Sequence, residues 1–291
     1  MVQDRSFASR LFDVVNYTLL ALFAMITVLP FIYVIAVSFA TPEEVARRGF
    51  ILFPTEFSLS AYKYIFSTNT LTRSLIISIY VTVVGTIINL ICTSLMAYPL
   101  SKRHLRMRSG LLLMVLFTML FSGGMIPTYF VVKAVGLTNT LWALMIPNAI
   151  SAFNLIVLKN FFQQLPEGVE ESAKIDGAND LTVLTRIVIP LSLPAMATLS
   201  LFYAVGHWNT FFSAILYIND PTKWPLQVML REIVIMNQDN FGYSNEIDPT
   251  EFHPITIRMA VIVFATVPIL LVYPFLQKHF AKGALLGSVK G

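Results

Sequence analysis

The chain has 291 residues, of which 56% are hydrophobic and only 12% are charged, whereas soluble domains carry about 25% charged residues. This composition excludes a pair of ordinary soluble domains and favours one polytopic membrane domain. The net charge of +4 does not indicate nucleic-acid binding, because the basic residues cluster at the ends of apolar segments, where they set membrane orientation.

The first two apolar segments predict transmembrane helices. The first, residues 14–41, is too long for a signal-peptide core of about 7–15 residues and contains Pro30, where we predict a kink. Residues 42–70 form a polar loop that ends in FSLSAYKYIFS, a pattern typical of a short interfacial helix. The second span, residues 74–100, is uncharged and contains the single cysteine, Cys92, so the chain has no internal disulfide.

A basic stretch, SKRHLRMR, follows the second span and is the strongest orientation marker in the sequence. Cytoplasmic loops carry an excess of Lys and Arg, so we predict that this stretch lies in the cytoplasm. The third span covers residues 110–132. Its Gly123-Gly124 pair and Pro127 predict a broken or loosened outer end.

Three further spans complete the predicted topology, over residues 140–158, 192–218 and 257–277. The fourth contains Pro147, and a long polar loop, residues 219–253, separates the last two. We therefore predict an all-α polytopic membrane protein with six transmembrane helices and both termini in the cytoplasm.

The connector between the fourth and fifth spans is charged, unlike its surroundings. Its sequence, PEGVEESAKIDGANDLTVLTRIVIPLSLP over residues 166–194, predicts two short helices joined by a sharp bend. Pro166 suits a first helical position, Gly177 suits the left-handed residue past a helix end, and Asn179 or Asp180 suits a cap. The apolar residues of the second helix share one face at helical spacing: Leu181, Leu184, Ile187 and Val188.

This connector resembles the EAA loop of ABC importer permeases. The residues that carry the resemblance are Glu171, Ser172, Ala173, Asp176, Gly177, Ala178, Ile187, Pro190 and Pro194. Ser172 stands where the family usually has Ala. The resemblance implies a coupling helix that docks onto a cytoplasmic ATPase, with Glu170 and the matching residues up to Pro190 as candidates. An ordinary amphipathic connector is the alternative.

Two more stretches, FSGGMIPTYFVVKAVGLTNT and YPFLQKHFAKGALLGSVKG, resemble carbohydrate-importer permeases of the maltose-permease type. The smaller permease of an alginate-type oligosaccharide importer is one candidate. The resemblance implies a type I ABC importer in the bacterial cytoplasmic (inner) membrane. Its implied partners are a second, non-identical permease, two ATPase subunits, an extracytoplasmic solute-binding protein, an oligosaccharide and the lipid bilayer.

The resemblance also suggests how the chain is divided. Residues 1–70 would form the first transmembrane helix and the first extracytoplasmic loop. Residues 71–280 would form the permease core, with five transmembrane helices and the coupling loop at 166–190. Residues 281–291 would form a cytoplasmic tail.

The energy source is expected to lie outside this chain. It has no G-x-x-x-x-G-K-[ST] phosphate loop, so ATP and Mg are expected on partner ATPase subunits, with no cofactor, metal or catalytic residue in this chain. The interiors of the predicted spans also lack the Asp, Glu, Lys or Arg that ion-driven carriers place within the membrane. A secondary carrier, an intramembrane enzyme, and a peptide, amino acid or polyamine as cargo are the alternatives.

A sugar path needs hydrogen-bonding and aromatic groups in an apolar wall. The candidates in the fourth and fifth spans are Asn148, Ser151, Asn154, Tyr203, His207, Trp208 and Asn209. The same polar groups could instead bond across neighbouring helices. In the last outer loop, the candidate contacts with a binding protein are Asn237, Asn240, Tyr243 and Glu246.

Overall fold

The computed structural model describes residues 7–67, 69–234 and 254–288. Across these ranges the secondary structure is helical. The β pairing within them is one isolated bridge, between Ala40 and Phe57. The all-α class is therefore confirmed, whereas the six spans and the cytoplasmic termini stay predictions. The contacts define two compact units, Met1–Asn69 with Glu232–Val267 and Thr70–Arg231 with Pro268–Gly291. The division predicted from sequence stays a prediction.

The helices are numbered in chain order. The first four are α1 (Phe7–Ser38), α2 (Pro42–Arg47), α3 (Ser60–Ser67) and α4 (Asn69–Ser101). The next four are α5 (Arg108–Leu120), α6 (Met125–Ala134), α7 (Trp142–Met145) and α8 (Ala152–Phe162). The remainder are α9 (Glu167–Ile175), α10 (Asp180–Leu191), α11 (Leu193–Trp208), α12 (Phe212–Tyr217), α13 (Leu226–Val234) and α14 (Pro254–Ser288).

Within the described residues, three helical stretches are long and apolar enough to cross a bilayer. They are Ser9–Ser38, Asn69–Ser101 and Pro254–Val272. Two bent pairs, α5 with α6 at 118° and α10 with α11 at 86°, raise the number to five if each pair is one span. The break predicted near the Gly-Gly pair is confirmed, because α5 ends at Leu120 and Gly124 adopts a φ of 84° before α6.

The prediction of one continuous helix for the fourth span, residues 140–158, is wrong. α7 is a single turn, and α8 begins only after an irregular stretch. Pro147 lies in that stretch and cannot donate a backbone hydrogen bond. Ser151 then caps the new helix, because its side chain accepts from the N–H of Asn154 at 3.5 Å.

The fifth predicted span, residues 192–218, is also divided. α11 ends at Trp208, and α12 starts four residues later. Asn209 turns its side-chain amide back onto the carbonyl of Val205 at 2.9 Å, a local bond that competes with continued helix. At each break, a side-chain hydrogen bond caps the start of a helix or ends one. The apolar pattern of the sequence does not reveal these bonds.

α4 is the central helix of the second unit. Along one face it buries small and polar residues, spaced mostly by four: Ser74, Ser78, Gly85, Asn89, Thr93 and Ala97. Small residues allow other helices to approach closely. Ser78 accepts a hydrogen bond from the N–H of Leu226 at 2.7 Å, and His207 packs directly against Gly85.

In the first unit, the chain after α1 is held by the buried carboxylate of Glu44. That carboxylate accepts hydrogen bonds from the Thr55 N–H at 3.0 Å, the Thr55 hydroxyl at 2.8 Å and the Glu56 N–H at 3.1 Å, and it pairs with Arg48 at 3.1 Å. The backbone hydrogen bond from Thr55, more than any other contact, holds the pKa of Glu44 below its usual range. Buried charge is tolerated here because it is fully hydrogen-bonded.

Candidate functional site

The charged connector folds as the sequence predicted, as two helices with a sharp bend. α9 starts one residue after Pro166 and ends in a Schellman motif. Ala178 N–H donates to the carbonyl of Ala173 at 2.9 Å, and Gly177 N–H donates to that of Lys174 at 3.1 Å. Gly177 has a φ of 86°, a conformation that glycine adopts without steric cost.

α10 is capped by Asn179, whose side-chain oxygen accepts from the Thr182 N–H at 2.8 Å. A π-helical turn, Leu184–Val188, lies inside it, and the chain then turns by 86° into α11. The buried residues of α10 are Val183, Leu184 and Val188. The predicted apolar face is wrong at Leu181, which is 59% exposed and does not belong to the packed cluster that contains Val183.

α9 is anchored to the end of α4 through Glu170. Its carboxylate forms an ion pair with Lys102 and accepts a hydrogen bond from the Tyr98 hydroxyl at 3.2 Å. The Lys102 ammonium also lies 4.4 Å from the centroid of the Tyr98 ring, within cation–π range. Sequence reasoning missed both partners, since Lys102 counted only as an orientation marker. Their spacing, one helical turn apart at the end of a span, was the available signal.

A second ion pair joins the two helices across the bend. Lys174 Nζ lies 2.8 Å from Asp180 Oδ1, and this hydrogen bond raises the pKa of Lys174. Both side chains are exposed, so the pair contributes about 0–1 kcal/mol and helps to set the bend rather than to stabilise the fold.

The predicted coupling residues fall into two groups. Glu171, Ser172, Asp176, Gly177 and Pro190 are exposed, while Glu170, Ala173, Ala178 and Ile187 are half-buried. The half-buried group faces this chain, and the exposed group is open to a partner. Behind them, Val183 and Val188 share a core cluster with residues of α4, α8 and α11. A displacement of the connector would therefore be transmitted to these helices.

We expect Glu170→Gln to loosen α9 from α4. The change removes one charge from the Lys102 pair, and for a partly exposed pair we expect a loss of about 1 kcal/mol. Limited proteolysis of residues 163–180 in the purified protein measures the loosening. Glu171→Gln is the matched control, since Glu171 is exposed and should leave the cleavage rate unchanged. Equal cleavage of the two variants would contradict the anchoring role.

A polar cavity of 300 Å³ lies among the apolar helices of the second unit. Its lining residues are Asn89, Leu144, Asn148, Ser151, Asn154, Phe202, Tyr203, Gly206, His207, Thr210 and Ser213. Five of the seven predicted path residues are among them. Trp208 is buried away from the cavity, and Asn209 is exposed with its amide bound to its own helix.

Asn89 connects α4 to the broken fourth span and to α11, and sequence reasoning missed it. Its amide nitrogen donates to the carbonyls of Asn148 at 2.7 Å and Ala149 at 3.0 Å. Its oxygen lies 2.6 Å from Nε2 of His207 and is therefore the acceptor, so that His207 nitrogen carries a proton. An asparagine in the middle of an apolar span was the signal that could have identified it.

Tyr203 makes a similar connection one turn earlier. Its hydroxyl accepts from the N–H of Ser151 at 3.2 Å and lies 2.7 Å from the Thr93 hydroxyl. Two of the predicted path residues, Tyr203 and His207, thus bond across helices as the alternative interpretation expected, and they also line the cavity.

The candidate contacts with a binding protein, Asn237, Asn240, Tyr243 and Glu246, lie outside the described residues. Their role stays a prediction.

A family model described as "Binding-protein-dependent transport system inner membrane component" matches residues 2–285. The chain is 61% identical over 284 residues to the polygalacturonan/rhamnogalacturonan transport system permease protein YtcP of Bacillus subtilis, covering 97% of this chain and 99% of the relative. It is 57% identical over 288 residues to protein LplC of the same organism, covering 98% and 96%.

A solved structure has the same fold. It is a chain from the crystal structure of a bacterial ABC transporter involved in the import of the acidic polysaccharide alginate. The TM-score is 0.91 at 33% identity, covering 96% of this chain and all of the other.

Proposed function

Because the chain belongs to the family of binding-protein-dependent transport system inner membrane components, the permeases of ABC importers, we propose that it is one permease subunit of an ATP-driven importer of an acidic oligosaccharide. The observation that supports this substrate is the polar cavity of 300 Å³. It lies in a chain 61% identical to a permease named for polygalacturonan and rhamnogalacturonan. Amides, hydroxyls and a tyrosine in an apolar wall match a sugar, which presents hydroxyl groups and apolar ring faces.

The lining of the cavity supports an acidic sugar in particular. Its polar side chains are asparagine, serine, threonine, tyrosine and histidine, with no Asp or Glu among the lining residues. A sugar carboxylate would meet donors there and no like charge. The named substrates of two similar proteins, polygalacturonan/rhamnogalacturonan and alginate, agree with this chemistry.

In this proposal, partner subunits supply the energy for transport. Two cytoplasmic ATPase subunits bind ATP and Mg, and one of them receives the exposed side of α9. Closure of the ATPases moves the α9–α10 connector, and the shared core moves α4 and α8 as rigid bodies. A second, non-identical permease completes the path, and an extracytoplasmic binding protein delivers the oligosaccharide. The assembly lies in the bacterial inner membrane.

The test is purification of the complex with its ATPase subunits and binding protein, reconstitution in vesicles, and a transport assay with trigalacturonate. The proposal expects ATP-dependent uptake that requires the binding protein. Uptake of a peptide, amino acid or polyamine instead would contradict the proposed cargo. Uptake by the chain alone, without ATP, would contradict the mechanism.

A further inference from the structure

The broken fourth span places a helix N-terminus at the polar cavity. α8 has 11 residues, and both its cap residue Ser151 and its first-turn residue Asn154 line the cavity. The first N–H groups of a helix have no carbonyl partner within it, and the aligned peptide dipoles leave partial positive charge there. A continuous fourth helix would have placed no such terminus inside the apolar region.

Asn154 provides a second, independent feature at the same place. The residue is only 5% exposed, yet it lines the cavity, and among the described residues its side-chain amide has no hydrogen-bond partner. Its polar atoms are not among the fully enclosed side-chain atoms that lack a partner, so the amide opens into the cavity. The other deeply buried polar residues of the cavity, Asn89, Tyr203 and His207, are all bonded to protein groups. The amide of Asn154 is left for a ligand.

The chemistry of these two features selects one ligand group. The amide offers two N–H donors, and the helix terminus favours negative charge. We propose that Asn154 and the N-terminus of α8 form a binding subsite for the carboxylate of an acidic sugar unit. This inference rests on the proposed function and adds the residue that recognises the acid. The subsite contains no Lys or Arg, which suits a transit site, where binding must remain weak enough for release.

The chain offers a matched control in Asn209. Like Asn154 it is an asparagine close to the cavity-forming helices, but its amide donates to the carbonyl of Val205 and it does not line the cavity. The experiment compares Asn154→Asp and Asn154→Leu with Asn209→Asp and Asn209→Leu in the complete reconstituted complex. Trigalacturonate uptake is measured at saturating binding protein, and thermal unfolding of each complex is measured in parallel.

We expect Asn154→Asp to lower trigalacturonate uptake by about ten- to a hundredfold, because it replaces a donor to a carboxylate with a like charge. Asn154→Leu should lower it less, since it removes the donor without adding charge. Both Asn209 variants should transport within about twofold of the unchanged complex.

Three results would overturn part of the account, and they are distinguishable. Uptake by Asn154→Asp at the rate of the unchanged complex overturns the subsite alone. If the Asp variant unfolds at a lower temperature, full uptake by Asn154→Leu overturns it instead. No trigalacturonate uptake by the unchanged complex overturns the proposed cargo.

Discussion

Gly85→Ala is expected to lower transport at least tenfold, although it adds a single methyl group. A Cβ at this position would lie 2.5 Å from Nε2 and 2.7 Å from Cε1 of His207. The imidazole cannot rotate away without losing its hydrogen bond to Asn89, and it is buried between α4 and α11. Overpacking of this kind costs about 1–3 kcal/mol, and here it would separate the helices that form the cavity.

The control for this prediction is Gly110→Ala, because a Cβ built at Gly110 would have no atom within 4 Å apart from its own local backbone. A stronger check is the double variant Gly85→Ala with His207→Ala. If the clash is with the imidazole, the double variant should be more stable to thermal unfolding than the sum of the single effects predicts. Additive effects, or normal transport by Gly85→Ala, would show that the close packing of α4 against His207 does not matter.

Gly177→Val is expected to uncouple ATP hydrolysis from transport. Gly177 has a φ of 86°, and a residue with a Cβ pays roughly 1–2 kcal/mol to remain there, with a β-branched residue at the upper end. The Schellman bonds that close α9 depend on this conformation. Relaxation of the strain would reorient α9 relative to α10 and misplace its exposed side.

The measurement is sugar uptake per ATP hydrolysed in the reconstituted complex. Gly168→Ala is the matched control, because Gly168 lies in α9 without a positive φ and a Cβ built there would have no atom within 4 Å apart from its own local backbone. We expect the ratio to fall several-fold for Gly177→Val and to stay unchanged for Gly168→Ala. Normal uptake and normal sugar-stimulated hydrolysis by Gly177→Val would contradict a coupling role for the bend.

Local sequence signals were sufficient to predict the two helices and the bend of the connector. Gly177 after α9 and Asn179 as a cap each act within a few residues and lie where the pattern predicted, whereas Pro166, predicted at the first helical position, lies one residue earlier, at the N-cap. The long apolar helices α1, α4 and α14 could likewise be predicted, because each is a long continuous run of apolar residues. Such features depend on nearby chain geometry and not on tertiary contacts.

The cavity could be predicted only in part. Hydropathy predicted residues 140–158 and 192–218 as continuous helices. Apolar composition does not reveal a break that one proline or one side-chain hydrogen bond causes. Five of the polar candidates line the cavity, but which of them are hydrogen-bonded to other helices depends on long-range partners such as Asn89. Asn89 meets Asn148 across 59 positions of sequence, which periodicity does not report.

The anchoring of α9 was hidden for the same reason. Lys102 belongs to a basic stretch whose charge is explained by membrane orientation alone, and nothing local links it to Glu170, 68 positions later. The folded chain gives this one lysine a second role, in holding the connector that we propose receives the ATPase.

The most direct test of a partner-driven connector uses Ile175, which is 86% exposed at the end of α9. The chain has a single cysteine, so Ile175→Cys in a Cys92→Ser background gives one reactive thiol. In the assembled complex, a short bifunctional cross-linker at this thiol should capture an ATPase subunit, and a membrane-impermeant maleimide should label it only from the cytoplasmic side. Labelling from the outside, or no cross-link to the ATPase in an active complex, would contradict the account.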